Sequence, residues 1–463
     1  MPNAIAFLML ALWPVVTVVL FRRLSVQHAF LAAMLGGYLL LPEPPAAFDL
    51  PLFPPLTKHV IPSLSCIGAM MALGQLQTLI PRSTAARVLL AIYAVTPVFT
   101  VITNTEPVFW GRIGLPGLGL KDAIALPLQH LMHILPFLLA AQVLHTSKDL
   151  RDTFIALVIA GLAYSVLMLI EVRLSPQLNM WVYGYYQHSF AQTIRFGGFR
   201  PMVFLYHGLW VAFFCFAALI AAVGLWKHDR EGDRRKWFLA AAYLAVVLVL
   251  AKSLGALLFA MVVVPAVVLL GARQQMLLAL VIASVSVAYP ALKSIDLIPE
   301  RVIVERVAQI DEDRSRSISF RFANENVLRD RAMEKPLFGW GSWGRNQILD
   351  PRSGESVTIS DGEWVIVLGT FGFLGFVAQF GLLLLPLITL WWQFRTRDPG
   401  AVSPLSATMA LFLAVNMFDL LPNATLTVVT WIVAGMLLSY CDRVRSKAPL
   451  STATDPLTWK PVI

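Results

Sequence analysis

Apolar residues run through this chain in long unbroken blocks, with the polar positions gathered between them. Runs of about 17–25 apolar residues suit helices that cross a hydrocarbon core of roughly 30 Å. Such runs lie near 4–21, 26–41, 60–80, 88–103, 123–144, 153–172, 202–226, 237–251, 254–270, 276–290, 364–393, 402–421 and 424–441. They do not alternate in polarity, which excludes the short strands of a membrane β-barrel. The pattern predicts an all-α polytopic membrane protein of about 12–13 transmembrane helices with one long, partly helical extracytoplasmic loop. The run at 364–393 is long enough to be one tilted helix or two pieces.

Four regions follow. Residues 1–290 hold about ten spans with short loops, 291–362 the large loop, 363–441 the C-terminal spans and 442–463 a tail. Inside the loop, "SRSISFRFANENVLRDRAMEKP" is helix-like: Phe320, Ala323, Val327 and Met333 alternate with charges, and Pro336 marks a stop. A second outer segment, about 173–201, is crowded with aromatic residues.

Composition agrees with the pattern. Of 463 residues 58% are hydrophobic and 14% charged, against roughly 25% charged in soluble domains. The net charge of +9 is a matter of sidedness. Loops on one side carry Arg22, Arg23, Arg82, Arg87, Lys148, Arg151, Lys227, Arg230, Arg234, Arg235, Lys236, Arg273, Arg395, Arg397, Arg443, Arg445 and Lys447. The other side's short loops carry only Lys58, Arg112, Lys121, Arg173, Arg195, Arg200 and Lys252. By the positive-inside rule the first side is cytoplasmic. The long loop is then periplasmic and the C-terminus cytoplasmic. The charge reads as topology, and no nucleic-acid partner is expected. The first apolar run lacks a basic n-region and reads as a retained span that starts outside. Cys66, Cys215 and Cys441 have no metal-ligand spacing and read as small core residues.

The stretch "EKPLFGWGSWGRN" places Gly339, Gly341 and Gly344 in the spacing G-x-G-x-x-G. A dinucleotide fingerprint needs a buried strand before it and a helix after it. Here a charged helix-like stretch and Pro336 precede it, and a polar run follows. The segment reads as a turn.

Polar groups beside a bilayer are costly, and each is a candidate for function. Arg195 and Arg200 in "TIRFGGFRP" suit an anionic group such as a lipid diphosphate, because a guanidinium grips phosphate oxygens bidentately; snorkelling at a helix end is the structural alternative. Lys252, at a tight outer turn, faces either headgroups or a cavity. Arg314, Arg316, Arg321, Arg329 and Arg331 share the loop's helix with acidic neighbours, and counting charges does not choose among them. Asp361 and Glu363 directly precede an apolar span. A carboxylate there can act as a general base toward a hydroxyl, or Asp361 can cap the helix with Glu363 in its first turn. His130 and His133 are three apart without a third metal ligand, so interhelical hydrogen bonding is expected. Glu171 with Arg173, and Asp419, read as interfacial or paired.

The ordered outer features resemble the O-antigen ligase and O-antigen polymerase family of bacterial inner-membrane glycosyltransferases. The likeness covers about 195–380. It rests on Arg321 in the helix, the turn Pro336-Leu-Phe-Gly339-Trp-Gly341, Asp361, and Gly372-Phe-Leu-Gly375 in the span after it. "IRFGGFRP" looks like the family's Arg/Gly segment, and "KSLGALL" like its turn between two spans. The ligase branch carries His where Asp361 stands and Arg where Leu254 stands, which directs the reading toward a polymerase. The resemblance implies a GT-C-like architecture at the inner membrane and transfer from an undecaprenyl diphosphate-linked oligosaccharide without a metal or other cofactor. It implies the diphosphate at Arg195, Arg200, Lys252 and Arg321, proton transfer by Asp361 with Glu363, and sugar contacts at Trp340, Trp343 and Tyr185. A flippase and a chain-length regulator of the same pathway are the implied partners. A ligase or a lipid-linked glycan flippase are the rival functions.

Overall fold

The computed structural model describes residues 1–50, 53–195, 197–229, 232–397 and 400–446. Most of the predicted tail, with Lys447, and Arg230 lie outside the described residues.

Each of the thirteen expected spans coincides with a helix. In chain order these are α1 (Ala4–Arg23), α2 (Val26–Leu40), α3 (Ile61–Ala72), α4 (Thr84–Ile102), α5 (Leu120–Val143), α6 (Ser147–Leu174), α8 (Gly208–His228), α9 (Arg234–Leu250), α10 (Leu254–Leu269), α11 (Ala272–Ser294), α14 (Glu363–Thr396), α15 (Pro404–Asp419) and α16 (Val428–Arg445). Three others, α7 (Leu178–Tyr183), α12 (Glu300–Ala308) and α13 (Glu312–Met333), belong to the segments 173–201 and 291–362. Seven helices, α1, α4, α5, α6, α8, α11 and α14, are each long and apolar enough to cross a membrane. The architecture is that of an all-α, multi-pass membrane protein.

One span differs from expectation. The run 60–80 forms only the 12-residue α3, about 18 Å of helix. Gly74 takes φ +64°, and the Gln75 and Leu76 N–H groups turn back to the Met70 carbonyl, a left-handed stop of the kind Gly permits. Apolar composition alone carried the expected span past this stop.

The connecting loops fall on alternate faces. On one face Lys58 pairs with Glu43 at 3.2 Å and donates to the Phe204 carbonyl at 2.7 Å, and Arg345 donates to the Pro116 carbonyl at 2.7 Å. On the opposite face His28 lies 3.3 Å from Asp152, and Arg151 pairs with Asp229 at 3.0 Å. We call the first the loop face. Centrally, α8 is apolar on all sides and buried almost throughout, as an all-round hydrophobic helix must be.

The helix expected at 315–336 is α13, and it starts earlier. Asp311 caps it, accepting from the Arg314 N–H at 3.1 Å. Lys293, buried at the end of α11, ties α12 and α13 to the end of that helix through ion pairs with Glu300 at 2.6 Å and Glu325 at 2.9 Å.

The long helix α14 is two pieces. Gly372 has φ +67° and ψ −167°, which breaks the helical hydrogen-bond ladder inside an apolar span. The chain at 336–341 fills that break with its own backbone. Trp340 N–H donates to Gly369 O at 2.8 Å and Gly341 N–H to Thr370 O at 2.9 Å, while Phe373 N–H donates to Pro336 O at 2.7 Å and Leu374 N–H to Leu337 O at 3.3 Å. Non-helical backbone at membrane depth is tolerated where protein satisfies it in this way. The approach is so close that a Cβ on Gly339 would lie 2.5 Å from the Thr370 carbonyl, and one on Gly372 would lie 2.4 Å from that of Leu337.

Gly339→Ala combines left-handed strain with this overlap and should cost about 3 kcal/mol or more. Gly344, also at positive φ but with open space around it, should cost only about 1 kcal/mol as Ala. Thermal midpoints of the purified variants check the ordering; equal midpoints would show that the inserted loop does not hold α14.

Candidate functional site

The site begins with a buried acid at the end of α6. Glu171 does not pair with Arg173; its carboxylate accepts backbone N–H groups from two separate places. These are Leu178 at 3.0 Å, Met202 at 2.8 Å and Val203 at 2.7 Å. The Lys58 ammonium and the Tyr164 hydroxyl hold Phe204, and the Gln187 amide donates to the Val203 and Leu205 carbonyls. The chain leaving Arg200 is therefore fixed before α8 starts. Ahead of it a short hairpin pairs β1 (Ile194–Arg195) with β2 (Gly198–Phe199), and the Arg200 N–H donates to the Thr193 carbonyl at 2.7 Å.

This frame brings the expected cations together. The Arg200 guanidinium reaches the Lys252 carbonyl at 3.3 Å. Lys252 itself sits at φ +51° in the turn between α9 and α10, with its Nζ over Gly198, where a Cβ would come within 2.1 Å. A Cβ on Gly208 would overlap the Arg200 side chain at 2.2 Å. Gly198 in "FGGFR" and Gly208 at the start of α8 thus make room for cations. Burial, and then the charge of Arg195, push the Arg200 guanidinium down to about 10. Burial also drives His207 down to about 3, helped by the charges of Arg200, His188, Arg195 and Arg321. Positive charge from the hairpin and from α13 thus converges on the His207 ring.

Arg321 is the arginine of α13 that faces this cluster. Its Nε lies 3.4 Å from Asp361 Oδ2, each side chain a little over one-third exposed, and its Nη1 donates to the Pro422 carbonyl at 3.3 Å. The turn carrying Pro422 is shaped by Asp419, which accepts from Asn423 at 2.8 Å and Thr425 at 2.6 Å. The other arginines of the helix are engaged elsewhere: Arg314 with Asp311, Arg316 with Glu312 and Arg329 with Asp330. Arg331 stacks on Trp340, its guanidinium 3.4 Å from the ring centroid, a cation–π contact. Arg345, missed in the sequence, is buried, with hydrogen bonds to the carbonyls of Trp340, Pro116 and Glu106; it anchors the loop.

The two carboxylates at 361 and 363 part company. Asp361 turns to Arg321 instead of capping α14, whose N-cap is Gly362 without a side-chain bond. Glu363 points inward, accepts from the Gln379 amide at 2.7 Å and lines a cavity of about 380 Å³. His130 and His133 line that same cavity. Among the described residues no group of three or more His, Cys, Asp or Glu is placed to hold a metal.

The expected sugar-binding aromatics are mostly committed to packing. Tyr185 is buried, with its hydroxyl donating to the Glu43 carbonyl. The Trp340 indole lies under Arg331 and donates to that residue's carbonyl at 2.7 Å. Trp343 alone of the three presents its ring to solvent, 69% exposed, with its N–H on Asp122 at 3.1 Å. Burial overrides the sequence expectation at Tyr185 and Trp340 because both rings have polar tips with internal acceptors.

The chain matches no protein-family model and no curated protein. The site therefore rests on its own geometry: Arg195, Arg200 and Lys252 gathered by the hairpin and the α9–α10 turn, with Arg321 of α13 acting on the same His207 ring and paired with Asp361. His207 and the pairing of Glu43 with Lys58 escaped the sequence reading, whereas Glu171 was read as interfacial or paired with Arg173 and instead collects backbone donors. Their signal was present, since each is an ionisable residue in or beside an apolar run.

Glu171→Gln replaces an acceptor-only group by an amide and should release the 175–207 segment. Limited proteolysis there should quicken on the order of tenfold, reporting ~1.4 kcal/mol of easier local opening, with the helical core still resistant. Unchanged cleavage would mean that the other tethers suffice.

Proposed function

We propose that the protein is a polysaccharide polymerase of the inner membrane. It transfers lipid diphosphate-linked oligosaccharide units, with undecaprenyl diphosphate as the carrier, onto a growing glycan at the outer leaflet. The observation that carries this reading is the gathering of Arg195, Arg200 and Lys252 on the loop face, with the Arg321–Asp361 pair on the same side and Arg321 sharing the His207 ring with them. A lipid diphosphate presents its charge at headgroup depth, where cations brought there by the fold neutralise it. The diphosphate departs as a leaving group once its developing charge is stabilised, and fixed guanidiniums supply that stabilisation without rearranging. Asp361, facing Arg321, stands where the acceptor hydroxyl meets the donor and takes its proton. This assigns the loop face to the periplasm and the basic face and C-terminus to the cytoplasm, in keeping with the charge asymmetry. A flippase delivering the donor and a chain-length regulator are the expected pathway partners.

A transporter also uses broken helices, whose free backbone groups coordinate cargo. In α14 the groups freed around Gly372 are occupied by the 336–341 backbone, which speaks for a catalytic scaffold over a transport path.

Deleting the gene should leave single lipid-linked repeat units on the outer leaflet. Long chains still on lipid would instead point to glycan transfer onto another acceptor, and units trapped inside to a flippase. Complementation with Arg321→Ala or Asp361→Asn should restore membrane abundance but less than about one-hundredth of the polymer. Normal polymer from either variant would refute the site, and normal polymer after deletion would refute the function.

A further inference from the structure

The inward-facing cavity beside the cationic site belongs to none of the roles assigned so far. Its walls include His59, Tyr93, His133, Trp210, Glu363 and Trp431. At about 380 Å³ it falls in the size range of small-molecule sites, roughly 300–1,000 Å³. Its rim is interleaved with the cationic site. Glu363 follows Asp361 by two residues, Trp210 follows His207 by three, and Ser342, from the "GWGSWG" turn, completes the edge.

The lining combines aromatic faces with hydrogen-bonding groups held in place from behind. Gln379 holds Glu363 at 2.7 Å. Glu43, buried beneath, lies 2.9 Å from His59 Nε2 and 3.2 Å from Lys58. Burial opposes charge on Glu43, but Lys58 and His59 outweigh it and hold the carboxyl below its usual range. The Glu43 carboxylate at His59 Nε2 fixes the orientation of that ring in the cavity wall. The Trp210 ring meets His59 edge-on at 6.0 Å, and Tyr93 meets Trp431 at 6.4 Å. Flat apolar faces set among fixed acceptors match a ring that carries C–H groups on its faces and hydroxyls around its edge.

We propose that this cavity is a carbohydrate subsite, holding the acceptor sugar so that one hydroxyl emerges beside Asp361 and Arg321. The assignment rests on the glycan-transfer reading for its role, while sugar binding itself is measurable without turnover.

The test uses the full chain in lipid nanodiscs and saturation-transfer NMR with methyl α- and β-pyranosides of glucose, galactose, mannose and rhamnose. At least one glycoside should receive saturation. Its affinity should fall tenfold or more in Trp210→Ala, which removes a wall, and in His133→Phe, which fills the space, with thermal midpoints confirming that each variant is folded. Trp392→Ala, an exposed aromatic near the far end of α14 and outside the cavity, should bind as the unsubstituted protein does. No saturation with any glycoside, or a signal unaltered in both folded cavity variants, would overturn the subsite. Glycoside binding alongside normal polymer after gene deletion would instead sink the transfer reading and leave the subsite standing.

Discussion

The arrangement of the loop face depends on a backbone exchange at the break in α14. A span interrupted at Gly372 exposes peptide groups where no water can satisfy them, and each such group costs several kcal/mol in hydrocarbon. The turn at 336–341 supplies two donors and two acceptors to those groups. Both sides must be glycine where the chains touch, since a side chain on either would meet a carbonyl. The large loop is thereby docked on the membrane helices at a fixed height. Arg321, on the helix that leads into this turn, and Asp361, on the chain that leads out of it, meet as a consequence.

Charge is managed by the same economy of fixed partners. Buried carboxylates are not left to find cations by chance. Glu171 gathers backbone N–H groups from two segments, and Glu43 takes Lys58 and His59. Asp419 closes a turn through Asn423 and Thr425. A carboxylate that accepts several oriented donors acts as a structural node, because removing any one donor leaves the rest aligned. The cationic cluster is different in kind. Arg195, Arg200 and Lys252 share a region with Arg321 and His207, and like charges gathered at one place repel. A cluster of that kind favours the approach of an anion, which is the physical reason to propose it as a binding site.

The five arginines of α13 show how much of the site the sequence carries. Their types and positions were legible, as were the helix and its approximate limits. Which of them faces the membrane-proximal cluster was not, because helical spacing places acidic partners within reach of Arg314, Arg316 and Arg329 alike. Only the docking of α13 on α11 and α14 leaves Arg321 turned toward Asp361. The aromatic residues teach the same lesson from the other side. Trp340 and Tyr185 looked like ring platforms, but their polar tips have internal acceptors and burial follows.

What the sequence determined by itself was the membrane class, the order of helices and the alternation of faces. These depend on hydrophobicity and charge summed over many residues, so local errors average out; where a single residue governs, as Gly74 does in ending α3, the sum misleads. The tertiary structure alone decided which residues meet: the loop that fills the break at Gly372, the arginine that faces Asp361, and the separation of Asp361 from Glu363 into an outward cluster and an inward cavity. Those outcomes turn on the direction of individual side chains and on backbone contacts between segments far apart in the chain, and no pattern of types and spacings along one strand of sequence encodes them separately from the fold.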